Sequence, residues 1–209
     1  MTGDTNGDGI RDAAALRGHM GPVSRLAEGK VQARLDRHAR AFIALSPFLV
    51  VATADAEGRA DASPRGDAPG FVQVVDDATL LIPDRRGNNR ADSFGNLLAA
   101  PGIGLIFLVP GLTETLRVNG TARLTTDPAL LAPLVAQGKV PTTGLVVTVR
   151  EAFFHCGKAV MRARLWDPAA QVPRESFPSL GRVLAEQTGA IGVAEAEQLM
   201  EESYRTRLY

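Results

Sequence analysis

The sequence predicts a mainly β, α+β fold: a small β-barrel with helical decoration at its N- and C-termini. Three observations carry the prediction. Six or more short apolar or β-branched segments are bounded by Gly, Pro, Asn and Asp. Helical periodicity is confined to a stretch before the first strand, short inserts, and the C-terminal residues. No GxGxxG opens a strand–helix–strand unit and no GxxxxGKS/T loop is present, so a doubly wound nucleotide-binding sheet is not expected.

Residues 1–30 are Gly-rich and weakly patterned and read as an N-terminal arm or short helix. From Val31, apolar residues recur at Leu35, Ala39, Phe42 and Leu45, the spacing of one helix face. Pro47 ends this helix by disfavouring helical backbone at Ser46. Phe48–Ala54 reads as a strand, and Asp55, Glu57 and Gly58 turn the chain into RADASPR. Phe71–Val75 and Thr79–Ile82 form a hairpin about Asp76 and Asp77. Asn88 or Asn89 is expected to cap a helix with Phe94, Leu97 and Leu98 on one face, stopped by Pro101 and Gly102. Ile103–Val109 is a buried strand.

Leu116, Val118, Gly120, Ala122 and Leu124 alternate strictly with Thr115, Arg117, Asn119, Thr121 and Arg123, giving a strand with one buried and one polar face. A short helix over Asp127–Ala136 has Asp127 as its cap and Pro128 at its first position. Gly144–Arg150 is a further strand, continued by FFHCGKAVMRARLW. After a Pro-containing linker, LGRVLAEQTG and AEAEQLMEESYRTRL are helical. The expected division is residues 1–30 as arm, 31–170 as barrel, and 171–209 as a helical extension packed on it.

Lys+Arg and Asp+Glu both count 23, and this balance argues against a nucleic-acid partner. Cys156 is the only cysteine, so no intramolecular disulfide and no cysteine-based zinc site forms. The N-terminus lacks a signal-peptide core and the apolar runs are too short to span a bilayer. A cytoplasmic protein without a membrane partner is expected.

The chemistry concentrates between Ser63 and Leu98. Arg65, Arg85, Arg86 and Arg90 fall together with Gly66, Gly70, Gly87, Asn88 and Asn89, ahead of a helix N-terminus. Cationic forks, bare backbone N–H groups and a positive helix end suit a phosphorylated small molecule. Arg90 at a helix start opposes the helix dipole, and a bound dianion would relieve the conflict. The plainer reading is a solvated basic turn with Asn88 as a cap. Arg65, in a Pro-Arg-Gly-Asp turn, could pair with Asp67. Arg117 reads equally as a ligand contact or a cross-strand partner.

His155 and Cys156 are adjacent in a strand and so face opposite ways, which makes His155 a poor base for a thiol nucleophile. Asp4 to Asp12 mimics the first positions of a calcium loop. Ala15 stands where a bidentate Glu is needed, and the segment reads as a Gly/Asp arm. His19 and His38 are isolated, and no metal site is expected.

Four motifs stand in order: SPRGDAPGFV (Ser63–Val72), LLIPDRRGNNR (Leu80–Arg90), ETLRVNG (Glu114–Gly120) and HCGKAVMRARLW (His155–Trp166), with ARAFIALSPF before them. On these the chain resembles the pyridoxamine 5'-phosphate oxidase-related, FMN-binding split-barrel flavoproteins, in an uncharacterised bacterial branch, over roughly residues 18 to 170. The resemblance implies a split-barrel homodimer with FMN sites between subunits. It places Ser63, Pro64, Arg65 and Gly66 at one phosphate-holding strand and Asn88, Asn89 and Arg90 at the phosphate-holding turn. Ile82, Pro83 and Asp84 would border the isoalloxazine or ribityl chain, and Thr115 and Arg117 would reach in from the other subunit. Lys158, Arg162 and Trp166 fit the same flavin pocket, although Trp166 fits plain packing nearly as well.

The expected function is that of an FMN-binding oxidoreductase, moving hydride or electrons between a reduced donor and a small organic acceptor, with no catalytic side chain assigned. The alternatives are a non-catalytic FMN or haem binding or storage protein, and an F420-dependent reductase.

Overall fold

The structure, a computed structural model, describes residues 9–209. The calcium-loop-like segment from Asp4 lies largely outside the described residues. Among the described residues no group of His, Cys, Asp and Glu could hold a metal ion.

The chain divides into two compact units after Val31. In the first, Asp12 caps α1 (Ala13–Met20) by accepting from the Ala15 N–H, and Gly21 ends it at φ 72°. Ser24 caps α2 (Arg25–Gly29) in the same way. Neither helix has a buried residue.

The second unit begins at Gln32, which pairs with Ala152 as an isolated β-bridge. The helix expected from Val31 starts later: Asp36 accepts from the Ala39 N–H and opens α3 (Arg37–Leu45). Its buried stripe is Ala39, Phe42 and Ile43, with Leu35 buried just before it, whereas Val31 and Leu45 are exposed. A cap with a free carboxylate fixes a helix start more firmly than an apolar period does.

Seven strands follow: β1 (Phe48–Ala54), β2 (Ala60–Gly66), β3 (Gln73–Val74), β4 (Thr79–Pro83), β5 (Gly102–Leu108), β6 (Thr115–Thr125) and β7 (Gly144–His155). They form one sheet in the order β2-β1-β5-β6-β7-β4-β3, and every pairing is antiparallel. The sheet does not close, since β2 and β3 end the order unpaired with one another. This is the split-barrel, α+β architecture expected from the sequence. Helix α4 (Asp92–Ala99) packs on β1, β2 and β6, and α3 packs on β3, β6 and β7.

One sheet face is the core. Leu49 and Val51 of β1, Leu105 and Phe107 of β5, Leu116 and Val118 of β6, and Val147 and Val149 of β7 are buried with Ile43 and Leu97. Phe42 meets Phe154 edge-on at 5.5 Å. Leu81 points the other way on β4 and packs with Leu131 and Leu134 in a second small cluster. Leu131 ends α5 (Pro128–Leu131) and Leu134 lies in the 3-10 turn after it, so the helix expected to reach Ala136 is shorter. Pro133 lacks the N–H that a longer α-helix would need.

The alternation expected along β6 holds, with Leu116, Val118 and Ala122 buried in the core and Leu124 packed against it, but the pairing with β7 shifts at Gly120. Asn119 faces Glu151 but Gly120 faces Val149, so β7 carries an extra residue, a β-bulge. A Cβ at Gly120 would lie 2.0 Å from the Thr148 carbonyl oxygen. Only glycine permits that approach.

Strand β7 ends at His155, and the chain turns through Cys156 into α6 (Lys158–Ala163) instead of continuing extended. The C-terminal helices are α7 (Leu180–Thr188) and α8 (Val193–Thr206). No helix among the described residues is long and apolar enough to cross a membrane.

Candidate anion-binding site at the sheet edge

A cavity of about 710 Å³ opens beside end strand β2, walled by β2, the loop from Pro83 to Ala91, the start of α4, and Leu208. Cross-strand partners share a face. Leu49 pairs with Arg65, Val51 with Ser63 and Thr53 with Asp61, so these three polar residues of β2 extend the core face past its apolar part. The strand therefore delivers Arg65 to the cavity in extended backbone, and the turn expected at Pro64–Asp67 begins only after Gly66.

Arg65 donates from Nη1 to Ser63 Oγ at 2.6 Å and to the Pro64 carbonyl at 2.8 Å. Both acceptors are neutral, and Arg65 forms no salt bridge with any described residue. The expected Arg65–Asp67 pair is not present; Asp67 takes Arg85, whose Nε lies 2.6 Å from Oδ2. The Asp67 side chain is 3% exposed and that of Arg85 is 17% exposed. Burial pushes the Asp67 carboxyl up. Hydrogen bonds from Tyr209, the Ala68 N–H and Arg85 outweigh it, and the net direction is below the ordinary value.

Asp84, on the cavity wall, has the opposite balance. Burial raises it, and the charges of Arg65 and Arg85 only partly offset that.

The loop into α4 takes the left-handed backbone at two non-glycine residues, Asn89 (φ 59°) and Ala91 (φ 57°). Ala91 is the N-cap and no side chain caps the helix, which corrects the expectation for Asn88 and Asn89. Asn88 instead accepts from the Arg90 N–H at 3.1 Å. Arg90 is answered by Asp92, Nε to Oδ2 at 2.7 Å, which relieves its conflict with the helix dipole without a ligand. Ser93 donates to Asp61 at 3.0 Å, tying the helix start to β2.

Of the residues read from the sequence, Ser63, Pro64, Arg65, Gly66, Pro83, Asp84, Asn88, Asn89 and Arg90 line one cavity. Ile82 is 1% exposed in the core and does not line it. Thr115, Arg117, Lys158, Arg162 and Trp166 lie away from it. Arg117 pairs with Ile106 in register, on the outer sheet face, and stacks over Phe153 with 4.9 Å to the ring centroid. Lys158 and Arg162 are exposed on α6. The Trp166 indole donates to the Leu112 carbonyl at 2.7 Å.

The sequence reading left out Arg85 and Arg86 as individual contacts, although both stood in the basic run. It also left out Asp61, Ser93 and Leu208. Asp61 alternates with Ser63 and Arg65, a signal available in the strand period. Leu208 is remote in sequence and gave none.

The cavity fits a phosphorylated ligand of moderate size. Its volume lies within the roughly 300–1,000 Å³ of small-molecule pockets. Arg65 and Arg86 form no salt bridge among the described residues, and an uncapped helix start supplies backbone donors.

No curated protein matches the sequence. Among solved structures, HupZ of Group A Streptococcus is 19% identical with a TM-score of 0.47, covering 57% of this chain and 93% of its own. An FMN-binding protein from Syntrophomonas wolfei is 18% identical with a TM-score of 0.42, covering 56% and 82%. A protein related to general stress protein 26, from Clostridium acetobutylicum, is 14% identical with a TM-score of 0.41, covering 57% and 86%. At these values the likeness says nothing of activity. Residues 35–156 match the family model for pyridoxamine 5'-phosphate oxidase, a stretch running from two residues before α3 to the residue after β7. With more than half of its length matched, the chain belongs to the pyridoxamine 5'-phosphate oxidase family.

Proposed function

We propose that the cavity holds FMN, with the phosphate answered by Arg65, Arg85 and Arg86, and that the protein is a flavin-dependent oxidoreductase acting on a small organic acceptor. The observation that carries the reading is Arg65: a half-buried guanidinium on the inner sheet face, hydrogen-bonded to neutral oxygens and in no salt bridge with a described residue, with Asp84 near enough only for its charge to be felt. A cation in a walled cavity that no carboxylate contacts directly is stabilised when an anion binds. Bound FMN supplies two-electron redox chemistry, while the chain binds, orients and shields it.

The same reading takes the protein as a homodimer. The outer face of β1, β2 and β5 is apolar: Phe48 and Ile106 are 39% and 40% exposed, with Val50, Ala52, Ala62 and Pro64 beside them in register. Contiguous exposed apolar surface of this kind supports packing against a second copy. Thr115 and Arg117 flank that face, and Lys158, Arg162 and Trp166 are retained in the proposal as contacts offered across the dimer. Sedimentation at the dimer mass is the expected result, and a monomer would remove them from the site.

The first test is the visible spectrum of the purified protein, with identification of the chromophore released on denaturation. Flavin absorbance and released FMN are expected. A colourless protein that takes up no added FMN overturns the reading.

A further inference from the structure

The end of α8 returns the chain to the cavity. Leu208 forms part of its wall. Tyr209, the next residue, donates its phenol O–H to Asp67 Oδ1 at 2.7 Å, and its backbone oxygen accepts from Lys139 Nζ at 2.7 Å. Asp67 is the carboxylate that holds Arg85, through Oδ2 and the Arg85 Nε. Its Oδ1 also accepts from the Ala68 N–H at 2.7 Å. Every contact of this buried carboxylate is thus a donor, and one comes from 142 residues away in the chain.

We propose that Leu208 and Tyr209 belong to the ligand site, and that Tyr209 is a positioning residue that sets Arg85, through Asp67, for the ligand's phosphate. The contact with Asp67 uses Arg85 at Nε alone. Its two Nη groups have no hydrogen-bond partner among the described residues, while the side chain lines the cavity. An arginine anchored at Nε and free at its outer edge presents a planar fork to a phosphate. Tyr209 fixes one oxygen of the anchoring carboxylate, so the other stays aimed at Nε. Lys139 holds the tail from the far side. Preorganisation of this kind raises affinity by removing the ordering cost from the binding step.

The inference rests on the flavin reading and deepens it, and one experiment separates the two. Dissociation constants for FMN and for riboflavin, which lacks the phosphate, are measured by flavin fluorescence quenching on flavin-free wild type, Tyr209→Phe, Arg85→Ala and the double variant. Tyr209→Phe should cost roughly ten-fold in FMN affinity, the scale of one hydrogen bond to a charged group. Riboflavin affinity should hardly move, because the relay acts on the phosphate. Arg85→Ala should cost at least as much, and the double variant no more than Arg85→Ala alone.

Equal losses for FMN and riboflavin would make Tyr209 a general wall residue and overturn the relay, as would an unchanged FMN constant in Tyr209→Phe. A wild type that binds neither flavin overturns the function reading itself. Leu208→Ser is the second variant: it leaves the relay intact, and a loss of both ligands alike is expected from its opened wall. Unchanged binding of both by Leu208→Ser would remove Leu208 from the site.

Discussion

Replacing Asp67 tests the electrostatic frame of the site without any ligand. Its carboxylate is 3% exposed and lies 2.6 Å from Arg85 Nε. Two unit charges about 4 Å apart at an effective dielectric near 20 attract by about 4 kcal/mol, and desolvation removes much of that. Truncating one member of a buried pair costs more than the pair's net worth, about 3–5 kcal/mol, because the survivor is left buried and unanswered. Arg85 keeps 17% of its side-chain surface, so the lower end applies.

Asp67→Ala should therefore destabilise by about 3 kcal/mol, or about 6–12 °C in Tm for a chain of this size. Asp67→Asn keeps an acceptor for the Tyr209 phenol and should cost about 1 kcal/mol less. The sign with pH follows from the depressed folded-state value of Asp67. Its stabilisation is fully present above the ordinary carboxylate value and is lost as pH falls through the folded one. The gap between wild type and Asp67→Asn should hold from neutral pH down to about pH 5 and close below about pH 4. Calorimetric or circular-dichroism melts across that range measure it. A difference under about 0.5 kcal/mol at neutral pH, or a gap undiminished near pH 2, would refute the buried-pair argument.

Arg65→Ala should weaken FMN binding by roughly ten- to a hundred-fold while leaving Tm nearly unchanged, since it breaks no salt bridge; titration and melts of the same samples check both. Arg90→Ala should have the smaller effect, because Arg90 is already answered by Asp92 and largely solvated. Asp84→Asn should be neutral or stabilising by up to about 1 kcal/mol at neutral pH, because burial opposes the native charge. Its advantage should shrink as pH falls and wild-type Asp84 takes up its proton in the fold; a wild type more stable than the variant at pH 7 contradicts this. Gly120→Ala should cost about 3 kcal/mol or more, since its methyl would meet the Thr148 carbonyl, and urea unfolding would show it.

Much of the site was legible because it is local in sequence. Residues 61–94 supply every wall of the cavity except Leu208, and strand–loop–helix continuity keeps them together. The basic run and its glycines could be read directly as a candidate anion site, and most of the residues named from it line one cavity. Which arginine faces the ligand could not be read. Arg65, Arg85 and Arg90 look alike in sequence, yet Asp67 holds Arg85, Asp92 answers Arg90, and Arg65 has only neutral oxygens. Pairing depends on distances of a few ångströms between side chains on different elements, and composition carries no such information.

The sequence by itself determined the strand-rich class, the hairpins, the helical ends and the family, since period-two alternation, turn residues and ordered motifs are local properties. Only the tertiary structure decided the sheet order, the bulge opposite Gly120, the uncapped start of α4, and the return of Leu208 to the cavity wall and of Tyr209 to Asp67. Those features are contacts between segments far apart in the chain. Their energies come from packing and from pairing buried charge, which act only after the chain has closed on itself.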